Sequence, residues 1–228
     1  MSYAFEPAPI PSVAVTTGSL FPVRRIFCVG RNFADHAREM GSDPVREQPF
    51  FFTKPADAVV AGGSVLPYPA RTANLHHEVE LVVAIGRGGR DIPPGEVDSR
   101  HVFGYAVGVD LTRRDLQAAA KAKGQPWDMA KGFDRSAPIS AITPLSRTGI
   151  MSKGRIELRV NSELRQTGDI SEMIWRIPEI VHELSTLVEL APGDLIFTGT
   201  PAGVGPVVRG DRLEASVEGL EPLVVSIA

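Results

Sequence analysis

The chain has 228 residues, a formal net charge of −3, 43% hydrophobic residues and one cysteine, Cys28. That length fits one domain with a short appended arm. An acidic balance with no Lys/Arg block argues against a nucleic-acid binder, no apolar run approaches a membrane span, and a lone cysteine excludes an internal disulfide and fits a reducing cytoplasm.

No signal-peptide pattern opens the chain. With 22 Gly and 19 Pro, turns and short elements should be frequent, which favours a β-rich chain over a helix bundle. Residues 1–23 carry Pro7, Pro9, Pro11 and Pro22 and read as an extended arm or edge strand. Arg25 to Gly30 is a short strand, followed by one or two turns of helix from Phe33 to Met40, with Asn32 as N-cap and Gly41 just past the end. On that helix His36 and Glu39 are three apart and share a face. A histidine oriented by a carboxylate can act as a general base, although a surface pair has the same spacing. Pro49 to Lys54 is a buried strand whose Lys54, held by Pro55, could neutralise an anion or reach out to water.

The stretch from His76 to Asp110 carries the densest chemistry. Two apolar segments, Val79–Gly86 and Phe103–Val109, read as strands. Residues two apart in a strand share a face, so Glu78 and Glu80 point the same way from an otherwise buried segment. Two adjacent buried carboxylates repel and are costly to desolvate. A divalent cation would resolve that cost, with Asp110 at the end of the next strand as a third ligand. Three carboxylates suit Mg²⁺ or Mn²⁺ rather than zinc. The same spacing also fits a solvated strand face with Asp110 capping a turn. His76 shares the parity of the two glutamates and His77 points the opposite way.

Further on, Leu111 to Gln117 reads as helical, and Lys121 to Asp134 as a loop with functional content. Ile156 to Asn161 alternates as a half-exposed strand that turns back by Arg165. A helix within Ile170–Leu190 has Pro178 in its first turn and an apolar stripe of Ile180, Leu184, Leu187 and Val188. His182 and Glu183 on it read as structural. Leu195 to Thr198 is a buried strand opening into Gly199–Gly205, a glycine-rich turn that is either a tight β-turn alone or one whose N–H groups cradle a carboxylate, with Thr200 as hydroxyl donor. No Gly-Lys-Ser/Thr ending follows, so it is not a nucleotide phosphate loop. Asp211 to Ile227 alternates like an antiparallel hairpin.

These pieces together resemble the fumarylacetoacetate hydrolase (FAH) family, in its short acylpyruvate and fumarylpyruvate hydrolase branch. The matching text is Val29-Gly30-Arg31-Asn32-Phe33-Ala34-Asp35-His36 with Glu39, Phe51 to Pro55, His77-Glu78-Val79-Glu80-Leu81, Gly108 to Gln117, Ala130-Lys131-Gly132-Phe133-Asp134 with Trp127, and Thr198 to Gly205. The resemblance implies an α+β class, a β-rich rolled mixed β-sandwich with short peripheral helices, spanning residues 24–228 as one catalytic domain and assembled as a homodimer. It implies Mg²⁺ or Mn²⁺ on Glu78, Glu80 and Asp110, with His36, Glu39 and Lys131 as catalytic residues. It also implies that the segment holding His36 and Glu39 is a lid, and that Arg31, Lys54, Gln117 and Thr200 hold substrate oxygens.

The implied substrate is a small 2,4-diketo acid, most specifically fumarylpyruvate, cleaved to fumarate and pyruvate in gentisate breakdown. A dicarboxylate needs a cationic contact at its far end, for which Arg113, Arg114 and Lys123 are the candidates. The alternatives within the family are an oxaloacetate decarboxylase and an isomerase of unsaturated hydroxy-diacids. A catalytically idle binding homologue is a third, and a Cys28–His36 thiol hydrolase a fourth.

Overall fold

The computed structural model describes residues 3–39 and 47–228, and of His36, Ala37 and Glu39 the backbone alone. Its centre is an eight-stranded mixed sheet. Along the sheet run β4 (Phe50–Lys54), β3 (Arg25–Gly30), β15 (Asp194–Phe197), β8 (Val79–Ile85), β9 (Val102–Val109), β11 (Ala137–Ile139) and β5 (Val59–Ala61), with β12 (Thr143–Pro144) also on β9. A five-stranded sheet packs against it: β14 (Glu163–Asp169), β13 (Arg155–Val160), β17 (Arg212–Val217), β18 (Leu223–Ile227) and β6 (Val65–Leu66). A three-stranded sheet joins β10 (Thr112–Arg113), β7 (Leu75–His77) and β16 (Gly205–Val207). The helices are short and peripheral: α1 (Ala34–Glu39), α2 (Pro94–Glu96), α3 (Arg114–Ala122), α4 (Asp128–Lys131), α5 (Leu145–Thr148) and α6 (Ile177–Leu187). This is the β-rich α+β architecture expected.

The central sheet is covered on both faces, which is why every residue of β8 is buried. Its odd positions, Val79, Leu81, Val83 and Ile85, join Ile156, Leu158, Leu213 and Val225 of the five-stranded sheet in the larger core. Its even positions Val82 and Ala84 join Ile26, Cys28, Leu195 and Phe197 in a second core. The segment read as an extended arm supplies part of the cover there. It folds back as a hairpin of β1 (Ser12–Ala14) and β2 (Leu20–Pro22), burying Val13, Phe21 and Val23.

Several sequence expectations change in detail. Asn32 does not cap α1. Its side chain donates to the Trp175 and Thr198 carbonyls and accepts from Trp175 N–H, because it is fully buried between two turns. Gly41 lies outside the described residues. Helix α6 starts at Ile177, and its stripe is Ile180, Val181 and Leu184; Leu187 is 66% exposed, since the last turn leaves the core. The return after β13 needs only Asn161 and Ser162, both at positive φ (52° and 69°), the pattern of a tight two-residue hairpin turn. Arg165 already belongs to the next strand.

Candidate active site

The even face of β8 explains the site's position. Val82 and Ala84 lie in the second core, while Glu78 and Glu80 extend the same stripe toward one end of the sheet. Strand β9 runs antiparallel beside it, placing Gly108 opposite Glu80 and bringing Asp110 N–H onto the Glu78 carbonyl at 2.8 Å. Gly108 has a packing reason: a Cβ there would come within 2.5 Å of Phe197. The result is three buried carboxylates, Glu78, Glu80 and Asp110, each offering an oxygen within 4.8 Å of the others.

Among the described residues, three cations balance them. Lys131, at the end of α4, donates to Glu78 Oε2 at 2.8 Å and to Asp110 Oδ2 at 2.6 Å. Arg114, at the start of α3, donates to Glu78 Oε1. Lys54 Nζ lies 2.8 Å from Asp110 Oδ1. Burial alone would lower the Lys131 pKa, but Asp110 and Glu78 outweigh it and hold the ammonium above its ordinary value. Glu80 is pushed well up, first by burial and then by repulsion from Asp110 and Glu78. Its direct hydrogen bond comes from Gly199 N–H, 2.7 Å from Oε2. The glycine-rich turn therefore does cradle a carboxylate, and that carboxylate is the protein's own. Gly199 needs its φ of +97° to do so, and a Cβ there would meet Asn32 at 2.7 Å.

The donor set fits a hard divalent cation. All three donors are carboxylates. Asp110 Oδ1 is buried, with the Lys54 ammonium 2.8 Å away and no hydrogen-bond donor on it among the described residues. His76 is not part of this set. Its Nε2 meets Asn74, and its pKa falls to about 4 through burial and the neighbouring Arg114.

A cavity of about 200 Å³ opens over the cluster. Glu78, Glu80 and Lys131 form its floor, Phe50, Phe52 and Trp127 an aromatic wall, and Arg31 and Lys121 its cationic edge. Trp127 packs edge-on against Phe50, with ring centroids 5.4 Å apart. Helix α3 supplies one side, because Arg114, Gln117, Ala118 and Lys121 follow i, i+3, i+4, i+7 spacing and share a face. Arg31, Gln117, Lys131 and Thr200 line the cavity. Lys54 does not. It is 3% exposed behind Asp110, with Nζ also donating to the Leu111 and Lys131 carbonyls, so it meets neither water nor the cavity. The side chains of His36 and Glu39 lie outside the described residues; the backbone of α1 starts four residues after β3 ends at the cavity wall.

Of the three candidates for a far cationic contact, Arg114 alone lines the cavity, at its floor end. Arg113 stacks over Phe133 at 4.4 Å and donates to the Met129 carbonyl. Arg114 is engaged by Glu78, and Lys123 is absent from the cavity wall. Among the described residues, Arg31 and Lys121 are the cations at the edge. Cys28 is fully buried and its thiol is pushed up, mainly by burial, which removes the thiol-hydrolase alternative.

Sequence reading missed Gln166. Its amide is completely buried at an inward position in the middle of β14 and spans the site's scaffold, accepting from Val79 N–H at 3.0 Å and donating to Thr200 Oγ1 at 2.8 Å. The only signal was parity, a polar residue at an inward position between exposed Arg165 and Thr167.

The sequence pattern of the fumarylacetoacetate (FAA) hydrolase C-terminal family matches residues 25–228. The fumarylpyruvate hydrolase of Pseudomonas aeruginosa, whose crystal structure holds Mn²⁺ and pyruvate, superposes with a TM-score of 0.97 at 51% identity, covering 100% of this chain and 99% of that one. The mitochondrial oxaloacetate tautomerase FAHD1 of Homo sapiens is 46% identical over 197 residues, 86% of this chain and 88% of that protein. The 5-carboxymethyl-2-hydroxymuconate delta-isomerase of Mycobacterium smegmatis is 32% identical with a TM-score of 0.80, covering 92% of this chain and 79% of that one.

Proposed function

The chain belongs to the fumarylacetoacetate hydrolase family, and from that membership and the cavity we propose that it is a Mg²⁺- or Mn²⁺-dependent hydrolase of acylpyruvates, with fumarylpyruvate as preferred substrate. The observation that carries the reading is the polarity of the cavity. An acidic, cation-balanced floor meets an aromatic wall and a second pair of cations, Arg31 and Lys121, at the edge. A 2-oxo acid with a second carboxylate at its far end matches that sequence of environments. Arg114 and Lys121 are seven residues apart on α3, roughly 10 Å along the axis, which suits an extended dicarboxylate.

In this reading Glu78, Glu80 and Asp110 hold the metal. When bound, the metal supplies Lewis-acid polarisation of the 2-oxo acid and lowers the cost of negative charge there. With all three carboxylates ionised, as a bound metal requires, they are balanced among the described residues by Lys54, Arg114 and Lys131. A divalent ion therefore leaves two positive charges for the substrate carboxylate and the enolate charge to neutralise.

Lys131 stays protonated and acts as a fixed positive charge beside the developing enolate. Thr200 and Gln117 orient the pyruvoyl end, and Arg31 and Lys121 the far carboxylate. His36, oriented by Glu39, takes a proton from water as the oxygen attacks the distal carbonyl. The C–C bond then breaks, its electron pair leaves with pyruvate as the enolate, and the His36 proton returns to the enolate carbon. Closure of the segment carrying His36 excludes water during these steps. A homodimer in the cytoplasm, working in aromatic-compound breakdown, completes the reading.

A second reading follows from the human relative: an oxaloacetate-directed activity, tautomerisation or decarboxylation, which uses the same metal-stabilised enolate and needs no attacking water. Pyruvate release, coupled to lactate dehydrogenase, separates the readings on fumarylpyruvate, acetylpyruvate and oxaloacetate with Mn²⁺, Mg²⁺ or EDTA. Metal-dependent release fastest from fumarylpyruvate supports the hydrolase. Pyruvate from oxaloacetate alone, or metal-dependent decay of the oxaloacetate enol absorbance without pyruvate, supports the second reading, and neither signal from any of the substrates overturns both.

A further inference from the structure

Gln166 sits where an apolar side chain would be ordinary, inside the larger core and wholly shielded from water. A buried amide is tolerated only when its hydrogen bonds are made, and this one makes four. Its oxygen accepts from Val79 N–H at 3.0 Å and from His77 Nδ1 at 2.8 Å. Its nitrogen donates to Thr200 Oγ1 at 2.8 Å and to the Pro201 carbonyl at 2.9 Å. Two of these partners fix the amide's orientation without appeal to the side chain itself. Val79 N–H can only donate and the Pro201 carbonyl can only accept, so oxygen must face the first and nitrogen the second. Nδ1 of His77 must then carry a proton.

The same bookkeeping fixes Thr200. Both amide protons of Gln166 are committed, one of them to Thr200 Oγ1, so the hydroxyl accepts there and its own proton must point elsewhere. Among the described residues this hydroxyl donates to no protein group, and Thr200 lines the cavity. We infer that Gln166 is a positioning residue that makes the Thr200 hydroxyl an obligate donor into the cavity, aimed at an anionic oxygen of the ligand. The amide also ties the turn at Thr200 to Val79, the residue between Glu78 and Glu80, so the donor and the carboxylate cluster are held in one frame. The inference rests on the reading that a pyruvate moiety occupies this cavity.

Gln166→Glu tests it. The substitution keeps the size and the acceptor for Val79 and His77, but at alkaline pH it puts an ionised oxygen against Thr200 Oγ1. Thr200 can satisfy that oxygen only by giving up its own proton. Pyruvate binding to the Mn²⁺-loaded protein is measured by calorimetry for the wild type, Gln166→Glu, Thr200→Val and the double variant. The expected result is a roughly 10- to 100-fold loss of affinity in each single variant, the scale of one hydrogen bond to a charged group, with no more than about a twofold further loss in the double variant. Should Gln166→Glu not fold, Gln166→Met also removes the donor and enters the same cycle. Losses that simply multiply in the double variant would overturn the inference while leaving the hydrolase reading intact, as would wild-type affinity in Gln166→Glu. A wild-type protein that binds Mn²⁺ but no pyruvate would overturn both.

Discussion

Replacing Lys54 with Met separates two roles that the side chain could have. Its Nζ is completely buried, lies 2.8 Å from Asp110 Oδ1, and donates to the carbonyls of Leu111 and Lys131. Met keeps most of the stem's volume, so the loss is electrostatic. Asp110 would retain Lys131 at 2.6 Å, which limits the penalty of an uncompensated charge. The two carbonyls would lose a donor, one of them on the residue that follows Asp110. Breaking one buried ion pair costs about 3–5 kcal/mol. For a domain of this size that corresponds to a fall in Tm of roughly 6–20 °C. The assay is thermal unfolding in EDTA and again in saturating Mn²⁺, together with KM for the acylpyruvate. If Lys54 supports Asp110, the fall is large in EDTA, and Mn²⁺ raises the Tm while binding more weakly than to wild type. A Tm close to wild type in EDTA, with KM raised and Mn²⁺ affinity unchanged, would refute this and return Lys54 to substrate binding.

Lys121→Met should lower kcat/KM for fumarylpyruvate by about 10-fold or more, the scale of one charge-assisted hydrogen bond, and leave acetylpyruvate nearly unaffected; equal losses on both substrates would remove Lys121 from far-end recognition. His36→Ala should cost roughly 10²–10⁴-fold in kcat with Mn²⁺ affinity retained, and wild-type turnover would exclude His36 as the base. Because burial and its acidic neighbours hold Glu80 protonated above the ordinary carboxylate range, a cation entering at low pH must displace a proton there. Mn²⁺ affinity should therefore rise with pH above the usual carboxylate range and flatten once Glu80 ionises unaided, and Glu80→Gln should flatten that rise. An unaltered profile in Glu80→Gln would assign the proton to another group.

Features that depend on short spacing were legible in the chain. Strand parity put Glu78 and Glu80 on one face, an apolar strand ending in Asp110 offered a third carboxylate, and the glycine-rich turn after Phe197 allowed an anion-binding backbone beside a plain turn. Family motifs added the architecture and the candidate base. What faces what across long separations came from the packing of the fold. Lys54 lies 57 residues from the Leu111 carbonyl it meets, Arg114 lies 36 from Glu78, and Gln166 lies 87 from Val79. Nothing local distinguishes a lysine that caps a buried carboxylate from one that reaches water, or Arg113 stacked on Phe133 from Arg114 paired with Glu78. A strand's period says which side a residue takes. Only the packing of one sheet on another says what is waiting there, and desolvation then forces each buried polar group to find its partner.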